Sequence, residues 1–218
     1  MKFLGDPSSG SRQGITFSRN RFGQYQRTRA TPVQPRTPAQ LNQRARMSTN
    51  AAAWRSLTDA QRAGWADLGA MISRSDSLGQ TYTLNGFAAY CSVNNNKLDA
   101  GDAAVSDAPA ISTPADLLSA TITLTAAAFS IAYTATPLAA GVRLYVFVSP
   151  QQSAGRKFNG DYRLLSVTAA AAASPANVLA AYTSKFGVPV VGNRIFISLQ
   201  TYLAGFKGAP FNISQIVA

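Results

Sequence analysis

Val142-Arg143-Leu144-Tyr145-Val146-Phe147-Val148-Ser149 is the stretch whose reading decides the fold of this 218-residue chain. It is dense in β-branched and aromatic residues, which suit a pleated, packed strand. With a side-chain period of two, Val142, Leu144, Val146 and Val148 share one face and Arg143, Tyr145 and Phe147 the other. A solvated face would carry more polar groups than Tyr145 and Phe147 provide. One face is therefore expected to be core, and the other to be partly covered by the crossover segment around Leu179–Phe186 or by a neighbouring subunit.

Similar stretches lie on both sides of it. Ala120–Thr125 and Ala128–Thr134 precede it, and Tyr162–Thr168, Arg194–Tyr202 and Phe211–Val217 follow. Ser174-Pro175 can open a short helix through Val178, Leu179 and Tyr182 in one crossover. Six or seven strands in about 100 residues, broken by Gly and Pro, indicate an antiparallel β-sandwich of immunoglobulin or fibronectin III kind over residues 115–218. The Cys…Trp…Cys spacing of antibody domains is absent, so the likeness is one of architecture.

Upstream the period changes from two to that of helices. Thr37-Pro38-Ala39-Gln40 combines a Thr N-cap, Pro at the first helical position and Gln three after the cap. That helix runs to about Arg55. Thr58-Asp59-Ala60-Gln61 repeats the capping box, and the second helix carries Trp65, Leu68 and Ile72 on one side. Trp54 and Trp65 are the expected packing partners of this helical hairpin. A third helix is expected from the Asn85 cap, bearing Phe87, Tyr90, Cys91 and Asn94, with Gly101 beyond its end. Residues 102–114, rich in Ala, Ser, Asp and Pro, read as a linker. The fold class is α+β, divided into an arm (1–36), a helical region (37–101), a linker (102–114) and a β-sandwich (115–218).

Composition removes most chemistry. All nine acidic residues are aspartates, histidine is absent and Cys91 is the lone cysteine. Without histidine there is no Ser-His or Cys-His activation and no imidazole acid or base. Zinc sites built on His, Cys and Glu are out of reach, and one cysteine makes no internal disulfide. Asp99 and Asp102 flank Gly101, but a calcium loop needs more oxygen ligands than they offer. No catalytic residue, cofactor or metal is expected. Cys91, next to Tyr90, reads as a small buried hydrophobe. With 46% apolar residues the chain can build a core. No apolar run reaches the roughly 18–20 residues of a membrane span, and none at the start suits a secretory signal. Synthesis in the cytoplasm is expected.

The net charge of +11 is unevenly distributed. Residues 1–46 carry nine basic groups and one acid, residues 47–100 balance, and residues 101–218 carry seven basic and four acidic groups. In the arm, Ile15, Phe17 and Arg19 alternate with polar residues, and Tyr25, Arg27 and Arg29 repeat the pattern after Arg21-Phe22-Gly23-Gln24. A β-hairpin with Gly23 in the turn follows. Such a hairpin is marginal alone and needs something to dock on. Pro32, Pro35 and Pro38 then hold the chain extended. Arg12, Phe17, Arg19, Arg21, Phe22, Tyr25, Arg27, Arg29 and Arg36 are the candidate partner-binding residues. They suit nucleic acid by phosphate neutralisation and stacking, an acidic protein surface, or no partner at all as a solvated tail. Strand pairing and the proline joint favour a protein partner, and the planar arginine fork suits fixed contacts.

The runs Gly14-Ile15-Thr16-Phe17-Ser18-Arg19-Asn20-Arg21-Phe22-Gly23, Pro32-Val33-Gln34-Pro35-Arg36-Thr37-Pro38-Ala39-Gln40 and Trp54-Arg55-Ser56-Leu57-Thr58-Asp59-Ala60-Gln61-Arg62-Ala63-Gly64-Trp65 resemble a family of uncharacterised bacteriophage and prophage proteins. The resemblance covers about residues 10–100 and brings no activity with it. It implies a virion structural role. A head decoration or cement protein, bound by its arm to capsid or tail subunits and to copies of itself, is the leading expectation. A tail, connector or fibre-anchor component comes next. A nucleic-acid-binding protein using the arm is the alternative from another class.

Overall fold

The computed structural model describes residues 8–20, 23–76, 78–134 and 136–218. It is a mixed α+β protein with four helices and several antiparallel sheets among these residues. The chain divides into two compact units, Met1–Arg44 and Ala45–Ala218. In chain order the arm contributes β1 (Gly10–Arg12), β2 (Ile15–Asn20) and β3 (Gly23–Thr28), followed by α1 (Pro38–Ser56), within which the division falls.

The second unit continues with α2 (Asp59–Met71), a small hairpin of β4 (Ser73–Ser75) and β5 (Thr81–Thr83), and α3 (Gly86–Asp99). Each helix starts where the caps predict. The Thr58 hydroxyl accepts from the Gln61 amide at 3.2 Å while the Gln61 side chain accepts from the Thr58 amide at 3.0 Å. Asn85 Oδ1 accepts from the Ala88 amide at 2.8 Å. The core of this region is Trp65, Leu68, Tyr90, Cys91 and Val93. Trp54 and Trp65 do not pair as expected. Each meets the ring of Tyr90, at 5.5 and 5.1 Å between centroids, because α3 supplies the aromatic that both indoles pack on. Trp65 is fully buried, and its indole N–H donates to the Ser106 carbonyl at 2.7 Å. It thus locks α2 to α3 and to the segment after α3, rather than to α1.

That segment, residues 102–114, has no regular structure but is stitched down. Asn94, fully buried, accepts from the Val105 amide and donates to the Val105 carbonyl. Gln61 donates to Asp107 at 3.0 Å. Asp99 and Asp102 hold arginines: Asp99 pairs with Arg46, and Asp102 with Arg143 at 2.7 Å.

The strand-rich remainder holds β6 (Ser119–Leu124), β7 (Phe129–Thr134), β8 (Arg143–Val148), β9 (Arg163–Val167) and β10 (Ala176–Asn177). After α4 (Leu179–Phe186) come β11 (Arg194–Leu203), β12 (Phe206–Lys207) and β13 (Phe211–Ile216). One sheet has the order β10-β7-β6. The other has the order β12-β11-β8-β9, with β13 also on β11. Six of these strands fall within two residues of where alternation puts them. The Ser174-Pro175 helix does not form at that point: Ala176 and Asn177 pair with β7, and the helix begins at Leu179.

Both sheets contribute to one core. Val142, Leu144, Val146 and Val148 bury against it with Phe129 and Ile131 of β7 and Ile195, Ile197 and Leu199 of β11. Tyr182 of α4 joins the same core, its ring 5.4 Å from Phe129. The crossover therefore seals the valine face, and the cover of the aromatic face is different from either expectation. Tyr145 and Tyr202 pack with Ala100 at the end of α3. The Tyr145 hydroxyl donates to the Asn96 carbonyl at 2.7 Å, Tyr202 donates to Asp102 at 2.9 Å, and Arg143 also donates to the Ala100 carbonyl. In return Asn96 donates to Gly205 at 2.9 Å. Gly205, at φ +102°, approaches α3 so closely that a Cβ there would lie 2.6 Å from Val93. The face is covered by the chain's own helix end, because β8 brings the Tyr145 phenol to the Asn96 carbonyl in the last turn of α3 and β11 brings the Tyr202 phenol to the Asp102 carboxylate just beyond it.

Candidate functional site

The arm residues are organised by two turns. Arg12 pairs with Ile15 across Gln13-Gly14, with Gln13 at φ +53°, and this adds β1 as a third strand. Asn20 pairs with Gly23, at φ +112°, which closes the second turn as the first residue of β3. Arg21 and Phe22 lie outside the described residues. Sequence reading missed β1. The available signal was Gln13-Gly14, a two-residue link of the type that closes hairpins.

Register then fixes which candidates can act together, since directly paired residues project to the same side. Arg12, Ile15, Phe17 and Arg19 share one face with Gln26 and Thr28. Tyr25 and Arg27 share the other with Ser18 and Thr16. Arg29 lies just beyond β3, its amide donating to Gly14 at 2.8 Å. Arg36 stands outside the sheet at φ +53°, so the proline joint bends immediately before α1 instead of staying extended. The candidates thus form a two-faced basic sheet, not a single basic patch.

None of the described residues 8–44 is buried. Phe17 and Tyr25 are half-buried, while Arg12, Arg19, Arg27, Arg29 and Arg36 are exposed. None of these five arginines forms a salt bridge among the described residues, unlike Arg46, Arg62, Arg143 and Arg163 of the second unit. Side chains brace the sheet at its rim: Ser11 and Thr16 hydroxyls meet at 2.8 Å, and Gln24 donates to Ser8. The arrangement offers planar cationic forks to carboxylates or phosphates on two sides of a thin sheet.

The second unit presents no comparable set among the candidates. Cys91 is buried, and burial pushes its thiol pKa up, away from a reactive thiolate. Among the described residues no helix is long and apolar enough to cross a membrane. No family model, curated protein or solved structure matches this chain.

Proposed function

We propose that this chain is a non-enzymatic structural component of a bacteriophage particle that attaches to neighbouring subunits through its arm. The observation that carries the reading is the two-faced sheet: arginines project from both sides, and no described residue of 8–44 is buried. A sheet that is apolar on neither side gains little from folding on its own. It gains much by sliding between two acidic surfaces, each of which neutralises one face. Head decoration is the preferred role, and the partners are capsid or tail subunits and further copies of the chain.

The strand-rich part is read as a β-sandwich of immunoglobulin or fibronectin III kind. Strand partition supports this. Leaving aside the short β12, the first, second and fifth strands share one sheet, and the third, sixth and seventh share the other with the fourth at its edge. That is the division a Greek-key sandwich makes.

The test is incorporation. Particles assembled with a chain lacking residues 1–36 should lack the protein, and particles imaged with the full chain should show the arm between subunits. Normal incorporation of the shortened chain overturns the reading. Tight, salt-dependent DNA binding by the purified protein, with a slope of several counterions, would replace it with the nucleic-acid alternative.

A further inference from the structure

A second set of uncommitted polar groups lies in the 45–218 unit, far along the sequence from the arm. A cleft of about 580 Å³ opens where the β4 strand, α3 and the β11–β12 turn come together. That volume lies in the range of small-ligand sites. Arg74 and Lys207 line it, with Ser73, Ser92, Asn96 and Gln200. No carboxylate lines it.

The groups are free to receive something. Arg74, Ser73, Ser92, Gln200 and Lys207 make no side-chain hydrogen bond or salt bridge among the described residues. The carboxylate whose charge acts on Lys207 is Asp99, and that is held by Arg46. Lys207 is fixed in place without a counter-ion: its ammonium sits 4.4 Å from the centroid of the Tyr145 ring and 5.7 Å from that of Phe147. Asn96 is also fixed, because its amide N–H₂ donates to Gly205, which leaves its Oδ1 as an acceptor. A positioned cation, a second cation on a hairpin, and hydroxyls and amides between them make up the donor set of an oxyanion with a polar body.

We infer that this cleft binds the phosphate monoester of a sugar-sized molecule, with the phosphate between Lys207 and Arg74 and the hydroxyls on Ser92, Asn96 and Gln200. Electrostatics agrees with the geometry. Burial lowers the Lys207 pKa; Asp99 opposes the fall and Arg74 adds to it. A dianion between the two cations relieves both the burial and the mutual repulsion. The inference does not depend on the role proposed for the arm.

The experiment titrates the full chain with inorganic phosphate, glucose 6-phosphate and glucose, reading backbone amide shifts by NMR. Glucose 6-phosphate is expected to move Arg74, Ser92, Gln200 and Lys207, to bind at least about fivefold more tightly than phosphate, and glucose alone to move nothing. Arg74→Ala, on an exposed strand, should weaken binding about tenfold with an unchanged melting temperature. Lys207→Met, which keeps the apolar stem over Tyr145, should do the same. Shifts confined to Arg12, Arg19 and Arg27 would mean that phosphate binds only the basic arm, and would overturn the inference. So would binding that Arg74→Ala leaves intact, or no shift in the cleft at all. Equal affinity for phosphate and glucose 6-phosphate would remove the sugar from the proposal and overturn it as stated.

Discussion

The β2–β3 ladder and the β8–β11 ladder each pair six residues of an antiparallel register, and they differ in what their side chains do. In β2 and β3 no residue is buried. In β8 and β11 most are, on both faces. Backbone hydrogen bonds are common to both ladders, and each contributes only about 1 kcal/mol net because water competes for the same groups. The difference in stability comes from apolar burial, at about 25 cal/mol per Å². The sheet of the second unit is stable through its own packing. The arm sheet has its shape from register and turns and buries none of its described residues; on the proposed reading it takes its stability from the subunits it docks on.

Four measurements press on this contrast. The largest effect is expected from Trp65→Ala, which empties the centre of the helical core and strands the Ser106 carbonyl. Denaturant unfolding should show a loss of about 3–5 kcal/mol. A loss below about 1 kcal/mol would mean that the helical core contributes no more than the arm does.

Asp102→Ala comes next. It leaves Arg143 without its carboxylate and the Tyr202 hydroxyl without its acceptor. Because both ion-pair partners remain about a quarter exposed, at 26% and 28%, the cost should be about 1–3 kcal/mol rather than that of a fully buried pair. A double-mutant cycle with Tyr202→Phe measures the coupling. Additive losses would show that the Tyr202 hydroxyl and the Asp102 carboxylate are not energetically coupled, despite their hydrogen bond.

Alkaline pH provides a graded test. Burial raises the phenol pKa of Tyr90, Tyr133, Tyr145, Tyr182 and Tyr202, with Tyr182 pushed up to about 12. An acid whose folded pKa is raised stabilises fully below its unfolded pKa, about 10 for tyrosine. That stabilisation falls as pH climbs from there towards the folded value. Lys207, lowered instead, works the other way, but it is one group against six once Tyr162, also raised by burial, is counted. Stability should therefore decline between about pH 10 and 12, with the buried phenols titrating late or with unfolding. Ultraviolet titration of tyrosinate alongside circular dichroism checks this. All phenols ionising together near 10 with the fold intact would contradict the burial described here.

The smallest stability effect is expected from removing residues 1–36. The unfolding free energy of the remainder should change by less than about 0.5 kcal/mol, in line with changes at exposed positions. A large loss would show that the arm supports its own chain.

Much of this was legible in the sequence, and the parts that were not share a cause. Caps at Thr58 and Asn85 and the alternation through Val142–Val148 depend on neighbours a few residues away, so local pattern was enough. What covers Tyr145 was not legible: nothing local says that a phenol at 145 will meet a carbonyl at 96. Tyr90 as the shared partner of Trp54 and Trp65 failed for the same reason, since spacing along two helices says nothing about a third. The two-faced arm was half legible. Alternation showed which residues of one strand go together, and only the register with β1 and β3 showed that Arg12 and Arg27 point opposite ways. Arg74 and Lys207 carried no motif, being single charges more than a hundred residues apart.

The joint between the end of α3 and β11 has a temporal consequence. Asp102 meets Tyr202 across 100 residues of sequence, and Asn96 meets Gly205 across 109. Closing loops of that length is entropically costly and late, whereas the helices and the β6–β7 pair need only local closure. On a ribosome making roughly 5–20 residues per second, β8 emerges several seconds before β11 arrives to complete its surroundings. During that interval Tyr145 and Phe147 lack Tyr202 and Lys207, which pack on them in the finished fold, and that is when the chain is most exposed to misassembly. Slower translation between β9 and β11 lengthens the interval, so the yield of folded protein should depend on codon choice there far more than on codon choice in the arm.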